Sequence, residues 1–134
     1  MTFIEWQLKA FGVPFIAGGR DFDGWDCYGV NISAYRDVWG IQIPDYSGYK
    51  IKDFRQLAAL FENRKDGFWR RVEQPAPMVA ASIFRRGLPI HTGICVNSRE
   101  VMHVEENIET CIESITAFRI EGFYVPACRG TASV

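Results

Sequence analysis

The sequence predicts an α+β domain with helices first and an antiparallel sheet after them, and three observations predict it. Apolar residues recur at spacings of three and four only in the first half of the chain. After Asp66-Gly67 the pattern changes to short β-rich runs separated by turn-forming residues. No internal repeat or low-complexity linker interrupts the chain, so residues 1–134 read as one domain, long enough for a hydrophobic core without staples.

Thr2 to Phe11 carries the first helical pattern, with Thr2 as cap, Phe3, Trp6, Leu8, Ala10 and Phe11 partly buried, and Gly12 as stop. Val13 to Arg20 is a loop whose Gly18-Gly19 pair lets backbone approach closely. Asp21 to Asp26 is a polar turn. From Cys27 to about Trp39, Cys27, Val30, Ala34 and Val38 form one helical face that ends near Gly40. Asp53 opens a further helix to about Arg64, with Phe54, Leu57, Ala58 and Phe61 inward. Strands are expected over 68–72, 78–84, 90–96, 101–105, about 110–115 and 120–125, with turns at Arg86-Gly87-Leu88-Pro89 and Asn97-Ser98-Arg99.

Composition narrows the function. Apolar residues make up 48% and charged residues 23%, which describes a globular chain. A net charge of −1, with no basic block beyond Arg70-Arg71 and Arg85-Arg86, argues against a nucleic-acid partner. No apolar run approaches the ~20 residues of a membrane span. The N-terminal run is broken by Glu5 and Gln7 and lacks a basic start, so no secretory signal is expected. Four cysteines without a CxxC pair do not make a disulfide scaffold or a zinc ribbon. The acidic turn before Cys27 has Ile32 where a calcium loop needs its distal glutamate. Zinc on Cys27, His91 and His103 is conceivable, but no HExxH helix or placed carboxylate base accompanies them. No metal and no cofactor is expected.

Cys27 stands apart from Cys95, Cys111 and Cys128, which read as packing residues. Asp26 occupies an N-cap position, which leaves Cys27 at the positive end of a helix dipole, where a thiol pKa is expected to fall. The two histidines lie in consecutive strands. An odd-length loop around Ser98 brings His91 and His103 to one face, and a four-residue loop puts them on opposite faces. Period-2 patterning favours the common face, with the small Gly93 between the imidazoles. A thiol at a helix start, one imidazole to take its proton and a second polar group to orient that imidazole are the parts of cysteine nucleophilic catalysis. Backbone N–H groups at the helix start would hold the oxyanion. Phe15, Trp25, Asp26 and Tyr28, close to the thiol in sequence, are the candidate substrate-binding residues, and Tyr46 and Tyr49 add aromatics for a groove.

The segment Gly12-Val13-Pro14-Phe15, Gly18-Gly19 and Gly24-Trp25-Asp26-Cys27-Tyr28-Gly29-Val30 resembles the nucleophile region of the NlpC-type cell-wall peptidases, a papain-like family of bacteria and bacteriophages. His91-Thr92-Gly93-Ile94 and His103 resemble its second motif. Arg36 to Tyr46 and Ile120 to Pro126 are similar to the branch encoded in phage tail regions. The resemblance implies a papain-like fold with Cys27 as nucleophile, His91 as general base and His103 as orienting third member. It implies hydrolysis of an amide in the peptidoglycan stem peptide, typically after D-glutamate. It also implies synthesis in a bacterial cytoplasm, phage tail proteins as partners, and delivery to the cell wall in a virion or on lysis. Phe15 stands where the family often has a tyrosine, Tyr28 where a small residue or tryptophan often follows the cysteine, and residues 78–84 lack the usual Gly-Asp. A tail-assembly module with little activity and an acyltransferase using the same thioester chemistry are the other readings.

Overall fold

The first helix, α1 (Phe3–Ala10), begins where sequence capping rules place it. Thr2 accepts the Glu5 amide and Glu5 accepts the Thr2 amide, a reciprocal box that satisfies two orphan donors. The computed structural model describes residues 1–45 and 67–129. The helix expected from Asp53, and Tyr46 and Tyr49, lie outside the described residues. A two-stranded hairpin follows α1, pairing β1 (Arg20–Asp21) with β2 (Gly24–Trp25) where the sequence suggests only a turn. The second helix, α2 (Cys27–Ala34), is shorter than its apolar periodicity predicts. It widens into a π-helical turn at Tyr35–Trp39 and stops at Gly40, which adopts φ 67° as a C-terminal glycine can.

Six strands then form one antiparallel sheet: β3 (Trp69–Val72), β4 (Ala80–Arg85), β5 (Leu88–Cys95), β6 (Glu100–Glu105), β7 (Ile108–Ser114) and β8 (Ile120–Pro126). Their spatial order is β3-β8-β4-β5-β6-β7, so β4 and β5 are central and β7 is an edge. Each strand agrees with its expected range to within two residues. The architecture is the α+β arrangement the sequence predicts.

The sheet separates two cores. On the helix side Trp6, Val30, Ala34, Tyr35, Ala80, Ile94, Met102, Val104 and Tyr124 pack together. On the other side Val79, Ala81, Ile83, Cys95, Val101 and Val125 pack under Ile115, Phe118 and Ile120. Alternation along β5 assigns Ile94 to the first core and Cys95 to the second. Large aromatics tie the elements together without stranding polar atoms. Trp6 stacks on Trp25 at 6.1 Å and donates to the Ser33 hydroxyl at 3.0 Å. The Trp25 indole N–H donates to the Thr110 hydroxyl at 2.7 Å, and that hydroxyl donates to the Val13 carbonyl at 2.8 Å. Tyr35 Oη donates to the Met78 carbonyl at 2.8 Å. Each such bond removes the cost of a buried donor while the ring contributes apolar area.

Candidate functional site

Cys27 is the first residue of α2, and Asp26 caps the helix by accepting the Gly29 amide at 2.8 Å. Asp26 also accepts from the Gly18 amide at 3.1 Å and from Arg20 Nη1 at 2.7 Å. One carboxylate therefore fixes the loop, the hairpin and the helix start. The glycines permit this crowding. A Cβ on Gly19 would sit 2.2 Å from the Gly24 carbonyl oxygen, and one on Gly29 would sit 2.5 Å from the Gly19 carbonyl oxygen. The Gly18-Gly19 loop is thus folded against β2 and α2.

The α2 helix lies along β5, where the β5–β6 ladder is short. Only Ile94 pairs with Met102 and Cys95 with Val101, beyond which Val96 donates to the Glu100 carbonyl at 2.9 Å. Nearer the start of β5 the strand's polar groups turn to α2. The Asn31 amide nitrogen donates to the Gly93 carbonyl at 2.9 Å, and Thr92 lies beside the Cys27 sulfur, where its polar groups favour the thiolate. The Thr92 hydroxyl also faces that sulfur and has no geometrically good hydrogen-bond partner.

His91 and His103 come together as the odd-loop alternative requires: residues 97–99 make the loop, and the His103 ring packs on Phe118 of the second core. His91 Nε2 lies 3.0 Å from His103 Nδ1. Gly93 allows the approach, because a Cβ there would sit 2.5 Å from Val101 Cγ1 and 3.4 Å from His103 Cβ. Phe118 packs edge-on against the His103 ring at 4.8 Å, which leaves His103 1% exposed. Cys27 lies beside Thr92, the residue that follows His91 on β5. Among the described residues no hydrogen bond joins Cys27 to His91, and His91 Nδ1 makes none.

Burial pushes the His91 pKa down to about 4, with His103 and Arg85 acting in the same direction and Glu105 against it. His91 is neutral at physiological pH. The Cys27 thiol differs from expectation. Burial raises its pKa, the Asp26 carboxylate raises it further, and the amides of Thr92 and Tyr28 oppose both without overcoming them. Cys95 is sealed in the second core and pushed up to about 12 by burial, so it is no competing nucleophile.

The four residues expected to bind substrate are placed mainly by packing. Trp25 is 0% exposed and belongs to the core between α1 and the hairpin, so its ring offers no groove wall. Tyr28 is 6% exposed and donates to the Pro44 carbonyl at 2.7 Å. Phe15 is half-buried against the same core, and the Asp26 carboxylate is committed to three donors.

Two carboxylates that are not among the expected site residues join the histidines. Glu105 Oε1 lies 3.1 Å from His91 Nε2 and accepts Arg85 Nε at 2.9 Å. Glu113 Oε2 accepts from His103 Nε2, and Cys111 Sγ lies 3.8 Å from that nitrogen. His91-His103-Glu105 and His103-Cys111-Glu113 are each close enough to share a cation. Neither suits one as it stands, since Arg85 occupies Glu105 Oε1 and Glu113 bonds directly to His103.

No protein-family model and no curated protein matches the sequence. Among solved structures, the crystal structure of the NlpC/p60 domain of the peptidoglycan hydrolase SagA is similar, with a TM-score of 0.64 and 21% identity, over 92% of this chain and 95% of that one. The likeness is one of architecture: the chain has the papain-like α+β fold of an NlpC/p60 domain.

Proposed function

We propose that the protein is a cysteine peptidase or amidase that hydrolyses amide bonds in the stem peptide of bacterial peptidoglycan. The observation that carries this is the His91 Nε2 to His103 Nδ1 contact of 3.0 Å, made one residue along β5 from Thr92, which lies beside the Cys27 thiol at the first position of α2. The SagA domain, whose name gives it as a peptidoglycan hydrolase, supports the substrate class. Delivery by a phage or prophage tail is supported by the resemblance of residues 36–46 and 120–126 to tail-associated sequences.

In this mechanism the Cys27 sulfur turns from Thr92 toward the substrate carbonyl, and its proton passes to His91 Nδ1 as the C–S bond forms. The Cys27 amide at the helix start stabilises the oxyanion. His91 returns the proton to the leaving amine. Water, deprotonated by His91, then attacks the thioester, and the released sulfur recovers its proton. A raised thiol pKa and a His91 pKa of about 4 mean that thiol and imidazole are both neutral at rest. Deprotonation is coupled to attack.

A second reading is favoured by that same neutral pair and by Phe15 in place of a hydroxyl-bearing residue: a tail-assembly module with weak or no hydrolase activity. Defined tripeptide and tetrapeptide stems, incubated with the protein and read by mass, distinguish the two. Cleavage lost in Cys27→Ala is expected of the enzyme. No cleavage by the unaltered protein favours the module, and cleavage retained in Cys27→Ala contradicts the cysteine mechanism.

A further inference from the structure

We propose that Glu113 is a positioning residue which, acting through His103, fixes the nitrogen of His91 that serves as base. The catalytic consequence rests on the function proposed above; the tautomer assignment itself does not.

His103 sits between two partners on one face of the sheet. Its Nδ1 is 3.0 Å from His91 Nε2, and its Nε2 bonds to Glu113 Oε2. The β6–β7 register pairs His103 with Cys111 and Val101 with Glu113, so Glu113 arrives from the neighbouring strand on the same face. The ring cannot turn to exchange its nitrogens, because Phe118 packs against it and it is 1% exposed.

A carboxylate only accepts, so the proton of a neutral His103 resides on Nε2. Nδ1 then carries a lone pair and must accept from His91. His91 consequently holds its own proton on Nε2. Glu105 Oε1, 3.1 Å from the same nitrogen, is a second acceptor and selects the same tautomer. The remaining lone pair of His91 lies on Nδ1, which makes no hydrogen bond among the described residues and is free to receive the thiol proton. The opposite arrangement sets lone pairs against both carboxylates: with its proton on Nδ1, His103 would turn a bare Nε2 to Glu113, and the accepting Nε2 of His91 would face Glu105. It would also leave Nδ1 of His91 protonated. The other charged or titratable groups around the pair are Arg85, held on Glu105, and Cys111. Neither accepts the His103 proton as well as a carboxylate does.

Long-range 1H–15N correlation of 15N-labelled protein at pH 7 reads both tautomers directly. The expected result is Nε2–H for His91 and His103. In Glu113→Ala the His103 proton redistributes toward Nδ1 and His91 follows. In Glu113→Gln the amide oxygen still accepts, and the original tautomers are retained. With a cleaved stem peptide, kcat is expected to fall about 10- to 100-fold in Glu113→Ala at little-changed KM, with most of the loss recovered in Glu113→Gln. A doubly protonated or Nδ1–H His103 in the unaltered protein overturns the proposal. Tautomers unmoved by Glu113→Ala overturn it as well. Absence of any peptide cleavage removes the proposed function and leaves the spectroscopic test standing.

Discussion

Asp26 acts on Cys27 in two opposed ways. Its carboxylate caps α2 through the Gly29 amide, and its charge beside the thiol raises the pKa of Cys27. Asp26→Asn keeps the cap through Oδ1 and removes the charge, at the loss of the Oδ2 bond from the Gly18 amide, so its melting temperature is read beside the labelling rate. Iodoacetamide should label Cys27 several-fold faster at pH 7 in Asp26→Asn than in the unaltered protein; equal rates would show that the charge does not reach the thiol. In the unaltered protein the rate should climb only above the ordinary thiol range of about 8.5. His91 supplies a second prediction. Its folded pKa of about 4 lies below the unfolded value of about 6.5, so between these pH values the unfolded chain binds the extra proton. Stability from His91 is complete above about pH 6.5 and is lost as pH falls toward 4. Glu105, also lowered, acts in the same direction. The melting temperature of the unaltered protein should drop more steeply from pH 7 to pH 4.5 than that of His91→Gln; parallel curves would contradict the burial argument. Residue identity made Cys27 and the two histidines legible in the sequence. The sign of the thiol shift was not legible, because burial is a property of the folded neighbourhood.

Between elements, the decisive contact is the one α2 makes with β5. Asn31 donates to the Gly93 carbonyl where the β5–β6 ladder has ended, replacing a strand partner with a helix side chain. Asn31→Ala leaves that buried carbonyl unsatisfied and should cost about 1–3 kcal/mol. It is read as a lower urea midpoint at unchanged slope; an unchanged midpoint would mean that the strand finds another donor. Strand ranges and the shared face of the histidines were legible because parity along β5 and β6 and the loop at 97–99 are local features. Glu105 and Glu113 were not legible as partners of the histidines. Glu113 reaches His103 only through the β6–β7 register, and Glu105 reads as a solvated charge until Arg85 and His91 are seen beside it. The burial of Trp25, expected beside the substrate, is hidden from the sequence for a related reason. Its position beside the thiol in sequence does not disclose that its ring turns into the core against Trp6.

At the scale of the molecule, the two cores on either side of the sheet give the site its form. Cys27 opens α2, which packs in the first core, and His103 packs on Phe118 of the second, with His91 bonded to it. The α+β class was legible from periodicity alone, since helical spacing gives way to strand patterning after Gly67. The face on which each catalytic candidate lies required the strand order. The measurement closest to the central claim is intact mass after acid quench during turnover of a stem peptide. The account predicts an adduct equal to the acyl half of the substrate, mapped to Cys27 and absent in Cys27→Ala. Turnover with no adduct in the unaltered protein, together with undiminished turnover in Cys27→Ala, would contradict it.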